Sequence, residues 1–106
     1  MSAKQVVPRE AAHQDVETAL EHYLKEAGSA VAMNFIDQLE KAYVHIARHP
    51  ATGSPRYAQE LNLPGLRSWA VTGFPHLVFY VETENQIDVW RVLHERRDLP
   101  ERLRET

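Results

Sequence analysis

The segment from Gln86 to Asp98, near the end of the chain, constrains the fold more than any other stretch. It reads Gln-Ile-Asp-Val-Trp-Arg-Val-Leu-His-Glu-Arg-Arg-Asp. The residues follow the period-two pattern of a strand, and both faces carry β-branched or aromatic side chains. Such a strand is covered on both sides, so we expect it to lie inside a sheet. The two predicted faces are Ile87, Val89, Arg91 and Leu93, and Asp88, Trp90, Val92 and His94.

The size and composition of the chain are those of one globular domain. Its composition is 43% hydrophobic and 25% charged residues. A chain of 106 residues buries roughly 65% of its unfolded surface and needs no disulfide or metal ion to do so. The absence of cysteine excludes disulfides, thiolate metal ligands and cysteine nucleophiles. The longest apolar run, Leu77 to Val81, is far shorter than the roughly 20 residues that span a bilayer. We therefore predict a single domain over residues 1–106, in the cytoplasm, without a membrane segment.

The net charge of −3 disfavours a protein whose main task is to grip nucleic acid phosphates. We therefore expect this chain not to bind DNA directly. The charge is unevenly distributed, because five of the twelve basic residues lie in the last sixteen positions. This distribution predicts a local basic patch on an acidic body. The five residues are Arg91, Arg96, Arg97, Arg102 and Arg104.

The first half of the chain predicts a short strand and two helices. The strand covers residues 4–7, and Pro8 suits the first position of the helix that follows. Gly28 offers a left-handed cap and Ser29 a capping side chain, so the two helices should run antiparallel as a hairpin. Pro50 ends the second helix. The apolar stripes of the two helices are Ala12, Val16, Ala19, Leu20, Tyr23, Leu24 and Ala27, and Ala32, Phe35, Ile36, Leu39, Tyr43, Ile46 and Ala47.

The second half predicts a crossing loop and three strands. Residues 51–65 are rich in glycine and proline, with one irregular turn around Tyr57 to Leu61. The fold class is therefore α+β: a short N-terminal strand, an antiparallel helical hairpin on one face of the sheet, a three-stranded antiparallel meander and a short C-terminal tail. The predicted strands are Leu66 to Val71, His76 to Thr83 and Gln86 to Leu93, and the tail is a short helix from Asp98 to Arg104.

The face of the sheet opposite the hairpin is predicted to be open. We expect Trp69 and Trp90 to lie on it, where exposed aromatic side chains suit the binding of a protein partner. Arg91 shares a face with apolar residues, so we expect it to pair with a carboxylate such as Asp98 rather than to contact a ligand. Arg96 and Arg97, in the loop after the last strand, are as consistent with a solvated turn as with an interface.

A set of short motifs extends over nearly the whole chain. The most specific is the closing Arg-Val-Leu-His-x-x-Arg-Asp, from Arg91 to Asp98. Together these motifs resemble the ParE branch of the RelE/ParE toxins. Glu95 departs from the pattern, because the family often has a small residue after the histidine. The other matching motifs are Pro8-Arg9-Glu10-Ala11, Phe35 with Leu39, His49-Pro50 followed by Gly53, Leu66-Arg67, and Val78-Phe79-Tyr80.

This resemblance implies the toxin of a bacterial type II toxin–antitoxin system, of the kind linked to plasmid stabilisation and growth arrest. It implies a ParD-like antitoxin as partner, and any contact with DNA would pass through that antitoxin. It also implies inhibition of DNA gyrase by protein binding, with no catalytic residues and no cofactor. The residues expected to bind the target or the antitoxin are Arg67, Trp69, Trp90, Arg91, His94, Arg96, Arg97 and Asp98.

The RelE branch of the same fold cuts messenger RNA on the ribosome, and this is the alternative function. The reaction needs a base for the ribose 2′-hydroxyl, a cation for the phosphorane and an acid for the leaving oxygen. Arg67, Arg91 and His94 could fill these roles. However, the crossing loop holds only Arg56 as a basic residue, and no tyrosine follows His94. For His94 we favour a structural role at the strand end. A third possibility is a binding module that sequesters a partner without toxicity.

A metal site is not predicted. His45 and His49 are four residues apart on the second helix, but no glutamate follows the first and no third ligand is evident. The scattered glycines form no phosphate-binding loop. We therefore expect surface histidines and no bound metal or cofactor.

Overall fold

Four strands form one mixed sheet in the computed structural model, which describes residues 3–96. They are β1 (Gln5–Pro8), β2 (Leu66–Ala70), β3 (His76–Glu82) and β4 (Gln86–His94). The order across the sheet is β1-β4-β3-β2, with β1 parallel to β4 and the other pairs antiparallel. The expected interior position of the last strand is confirmed, because β4 lies between β1 and β3. Because β1 pairs in parallel with β4, the sheet is mixed. The predicted meander accounted only for the antiparallel pairs.

Two long helices form the predicted hairpin. They are α1 (Glu10–Glu26) and α2 (Ser29–Arg48), followed by a 3-10 turn (Pro50–Thr52) and a short helix α3 (Arg56–Leu61) where one irregular turn was expected. Gly28 joins the hairpin with a φ of 94°, which glycine adopts at little cost. Ser29 is already the first residue of α2 and makes no side-chain cap, contrary to expectation, because Gly28 occupies the N-cap position. The α+β architecture is confirmed.

Pro8 lies in a strand and not at the first helical position where it was expected. It is the last residue of β1, opposite Val89. The N-cap of α1 is Arg9, which is extended and donates its backbone N–H to the carbonyl oxygen of Val89 at 2.9 Å. Proline is tolerated here because β1 is an edge strand.

The helix-facing side of the sheet and the inner sides of α1 and α2 form the main core. Phe35 and Ile46 of α2 and Tyr80 of β3 are fully buried in it. Aromatic rings fill the end near the hairpin turn, where Tyr23 and Phe74 lie 5.2 Å apart between ring centroids. The hairpin is therefore fixed to the sheet by large side chains, each of which contributes about 1.5–3 kcal/mol on burial.

A β-bulge divides β4 and changes which residues face the helices. The register with β3 shifts between Phe79 and Tyr80, and this leaves Trp90 as an extra residue on β4. The predicted alternation of faces is therefore wrong beyond the bulge, because one extra residue reverses the alternation. The helix-facing cluster contains Ile87, Val89 and Val92, and the opposite cluster contains Trp90 and Leu93.

The face opposite the hairpin is only partly open. Helix α3 packs over the half of it formed by β2 and β3, where the ring of Tyr57 meets that of Phe79 edge to face at 5.4 Å. A second hydrophobic cluster lies there, around the buried residues Leu66, Phe79 and Leu93. We call the half of this face formed by β1 and β4, where the half-buried Trp90 packs at the margin of the cluster, the back face.

The predicted C-terminal helix from Asp98 to Arg104 lies outside the described residues. Among the helices of residues 3–96, none combines the length and the apolar character needed to cross a membrane. The described chain ends just past β4, at Arg96.

Candidate binding surface

The predicted site residues lie in separate parts of the molecule. Arg67 and Trp69 are on the helix-facing side of β2, where they stand opposite Tyr80 and Val78 of β3. Trp90 belongs to the back face. Two predicted residues, Arg97 and Asp98, lie outside the described residues. The remaining members of the set are on or just after β4: Arg91, His94 and Arg96.

Arg91 is buried against a carboxylate from the first helix. Its side chain is 7% exposed, and its Nε and Nη2 each donate to Asp15 at 2.7 Å. The same carboxylate accepts the backbone N–H of Val92 at 3.0 Å. The partner that was expected, Asp98, lies outside the described residues, and the carboxylate seen at Arg91 is that of Asp15. A two-pronged pair of this kind is among the strongest polar contacts in proteins.

Asp15 occupies the place of a missing strand. β1 ends at Pro8, opposite Val89, so among residues 3–96 β4 has no strand neighbour on that side near Val92. A backbone N–H buried there needs an acceptor, and the side chain of Asp15 supplies it. Asp15 is not among the site residues predicted from the sequence. One sequence feature could have indicated it: Asp15 lies three positions after Ala12, so the helix places this acidic residue on its apolar side.

Arg67 ties the crossing loop to the sheet. Its Nη1 donates to the carbonyl oxygen of Gly53 at 2.7 Å. Beside it, the hydroxyl of Tyr80 donates to the carbonyl of Pro50 at 2.7 Å and accepts the N–H of Gly53 at 3.1 Å. Burial raises the pKa of Tyr80, and the charge of Glu82 adds to this, while the bond from Gly53 and the charge of Arg67 oppose it. These contacts give Arg67 a structural role in the described residues.

Trp69 lies under the second helix and not on the open face where it was expected. Side chains alternate between the two faces of a strand, and the position of Trp69 on β2 places it opposite Val78, which faces the helices. The ring of His45 stacks on it, with 3.9 Å between centroids and 15° between planes. His45 is also bonded through Nε2 to the hydroxyl of Thr52 at 2.8 Å. That hydroxyl donates to the carbonyl of His49, so Nε2 of His45 carries the proton.

Trp90 anchors a polar cluster on the back face. The guanidinium of Arg9 stands 4.6 Å from the centre of its ring. Arg9 also binds both carboxylate oxygens of Asp88, at 3.1 and 2.9 Å. The indole N–H donates to the same carboxylate at 3.1 Å. An aromatic ring and a half-exposed arginine are thus held in fixed positions, which is the composition that protein interfaces select.

The end of β4 is held by backbone contacts. The N–H of Arg96 donates to Nδ1 of His94 at 3.2 Å, and the N–H of Glu95 donates to the carbonyl of Pro75 at 2.9 Å. The ring of His94 is 5.5 Å from that of His76 on the neighbouring strand. Glu95 and Arg96 are exposed. The strand therefore presents one acidic and one basic side chain at its end.

The outer side of the helical hairpin carries exposed apolar residues. Leu24 is 50% exposed, Met33 59% and Val44 51%. Leu24 was expected in the core stripe, and its exposure corrects that expectation. Around Val44, a shallow groove of about 380 Å³ is lined by two acids and a lysine. Apolar side chains rimmed by charged residues are typical of protein interfaces.

In the part of the chain that the structure describes, no three histidine, aspartate or glutamate side chains come together as a metal site. His45 and His49 lie 5.4 Å apart between ring centroids. The guanidinium groups of Arg67 and Arg91 are both engaged within the chain.

Comparisons with known proteins give one family match and one match of the fold. The family model described as "ParE toxin of type II toxin-antitoxin system, parDE" matches residues 6–99. A solved structure described as "Chromosomal ParDE TA system from P. aeruginosa" superposes with a TM-score of 0.72 and 15% sequence identity. It covers 87% of this chain and 96% of its own, and at this identity the likeness shows the fold alone. No curated protein sequence matches at a significant level.

Proposed function

Since this chain belongs to the ParE toxin family of type II toxin–antitoxin systems, we propose that it arrests growth by binding DNA gyrase and blocking supercoiling. It acts as a protein ligand and not as an enzyme. A ParD-like antitoxin neutralises it in the cytoplasm. The surface for gyrase is the back face around Trp90 together with the exposed end of β4 at Arg96.

The observation that carries this proposal is the engagement of the two arginines that RNA cleavage would require. A phosphorane is stabilised by guanidinium groups that face the substrate. Arg91 instead lies buried against Asp15, and Arg67 holds the carbonyl of Gly53. A toxin whose candidate catalytic arginines stabilise its own fold is better suited to act through its outer surface.

The experiment compares two activities of the purified chain. We expect it to inhibit supercoiling of relaxed plasmid by gyrase and to leave ribosome-bound messenger RNA intact. Trp90→Ala and Arg96→Glu should weaken the inhibition at least several-fold, because both change the proposed surface. His22→Ala, an exposed residue on α1, is the control and should inhibit normally. Cleavage of messenger RNA with gyrase unaffected would establish the ribonuclease function instead.

The antitoxin is proposed to cover the exposed apolar side of the hairpin. Met33 and Val44 offer unburied apolar side chains on α2, and an amphipathic or extended segment could bury them. We expect the complex to survive high salt, because its apolar part is not screened. Dissociation by salt alone would contradict this proposal.

A further inference from the structure

At the outer edge of β2, a single residue pairs with the sheet as a fifth strand would. Ser54 forms an isolated antiparallel bridge with Ser68. The two residues exchange both backbone hydrogen bonds, at 2.9 and 3.0 Å. The chain then turns into α3, and β2 is the last strand on this side of the sheet of residues 3–96. One residue of strand pairing is therefore in place at an edge that the other described residues leave unpaired.

The backbone of Ala70 points outward from this edge. In an antiparallel pair, successive residues alternate between bonding inward and outward. Ser68 bonds outward to Ser54, and Val71 bonds inward, with its N–H on the carbonyl of His76 at 3.0 Å. Ala70, two residues after Ser68 and one before Val71, therefore directs its N–H and C=O away from β3. It is also exposed, so an incoming strand can reach it.

Two hollows flank this edge and differ in character. They meet at Trp69, Ala70 and Thr72. The hollow on the helix side measures about 220 Å³ and contains the cationic side chain of Lys41, with no carboxylate among its lining residues. The other hollow measures about 430 Å³ and has Leu77 in its wall. A strand laid between them would send alternate side chains into the two hollows.

We propose that the outer edge of β2 binds an extended peptide segment of a partner protein as an added antiparallel strand. Its acidic side chains face Lys41 and its apolar side chains face Leu77. The backbone groups of Ala70 supply the hydrogen bonds, and the two hollows supply the preference for this alternation. Unprotected edges of this kind are normally covered or used in binding. The inference goes beyond the gyrase proposal and does not depend on it.

The test uses the purified full chain and a synthetic octapeptide of alternating valine and glutamate with blocked ends. Binding is measured by calorimetry and by amide shifts of Ala70 and its neighbours. In the proposed register the valine opposite Ala70 donates its N–H to the carbonyl oxygen of Ala70, and the glutamate N–H groups point to solvent. N-methylation of the valines should therefore weaken binding about tenfold. N-methylation of the glutamates is the matched control and should change it little.

Variants of the protein test the same contacts from the other side. Ala70→Pro removes the outward N–H without touching the bonds to β3, and it should weaken binding about tenfold. Ala70→Ser keeps the N–H and should bind normally. Lys41→Glu should weaken binding several-fold, whereas Lys25→Glu, on the exposed side of α1, should not. An octapeptide of valine and lysine should bind more weakly than the glutamate peptide.

Three results would overturn the proposal. The first is no binding of the glutamate peptide at about millimolar concentration, where even a weak specific contact is detectable. The second is equal binding of the two N-methylated peptides to the unaltered protein, a result that does not depend on any variant folding. The third is association of two copies of the chain through this edge that the peptide does not displace.

Discussion

At the scale of single residues, Gly53 shows most directly what the packing requires. A Cβ at this position would overlap the hydroxyl of Tyr80 and lie 3.0 Å from Cβ of Arg67. Its φ of −64° is open to any residue, so the need for glycine here is a need for space. The tight approach allows its N–H and C=O to bond Tyr80 and Arg67.

Gly53→Ala should therefore lower the free energy of unfolding by about 3 kcal/mol, from overpacking and from a displaced hydrogen bond. Urea unfolding measures this. Tyr80→Phe alone should cost about 1–2 kcal/mol, since it leaves Gly53 and Pro50 without their hydroxyl partner. The double variant should lose less than the sum, because the hydroxyl is also what the new methyl meets. Strict additivity would show that the two residues do not share this contact.

Ionisation of Tyr43 should lower the stability of the fold at high pH. Burial, and then the negative charge of Asp15, raise the pKa of Tyr43 from 10.0 to about 12. The fold therefore favours the neutral phenol. The resulting stability is fully present below the unfolded pKa and is lost as the pH rises through the folded pKa.

Between about pH 9 and about pH 12 the wild-type protein should lose about 2 kcal/mol more stability than Tyr43→Phe, which has no phenol to ionise. Urea unfolding across this range measures the difference. Tyr57→Phe, on α3, is the control and should keep the wild-type slope. If Tyr43→Phe also keeps it, the phenol of Tyr43 is not sheltered by the fold.

At the scale of elements, one carboxylate joins the first helix to the central strand. Asp15 on α1 accepts two bonds from Arg91 and one from Val92. It thereby caps β4 at the point where β1 has ended. The same contact therefore ties α1 to β4.

Asp15→Asn should lower the free energy of unfolding by about 3–5 kcal/mol, because it removes the carboxylate charge from a buried ion pair with Arg91. Chemical denaturation measures this. The control is Glu60→Gln, which breaks the exposed pair with Arg56 and should cost at most about 0.5 kcal/mol. Similar losses in the two variants would mean that burial adds nothing to the Asp15 pair.

At the scale of the whole molecule, the sheet separates two candidate interaction surfaces. The exposed apolar residues of the hairpin lie on one side, and the cluster of Trp90, Arg9 and Asp88 lies on the other. A toxin with two surfaces can hold its antitoxin by one and its target by the other, and neutralisation can then be altered without loss of toxicity.

Met33→Glu should weaken antitoxin binding at least tenfold and leave growth arrest intact, because it places a charge in an apolar contact. Trp90→Ala should do the reverse. Growth arrest on expression and calorimetry with the purified antitoxin measure the two effects. Gln14→Glu, an exposed polar position on α1, is the control for added charge. Equal loss of both activities in both variants would indicate one shared surface or a damaged fold.

The sequence by itself determined the helical hairpin, the meander and the interior position of the last strand. These follow from local causes: apolar periodicity, glycine and proline at the turns, and β-branched residues on both faces. Local patterns predicted fewer of the contacts in the candidate site. The pairing of Arg91 with Asp15 joins residues 76 positions apart, and the bulge at Trp90 depends on the register with β3. Only the tertiary structure decided these, because contacts distant in sequence leave no local pattern and one extra strand residue exchanges the faces of all that follow.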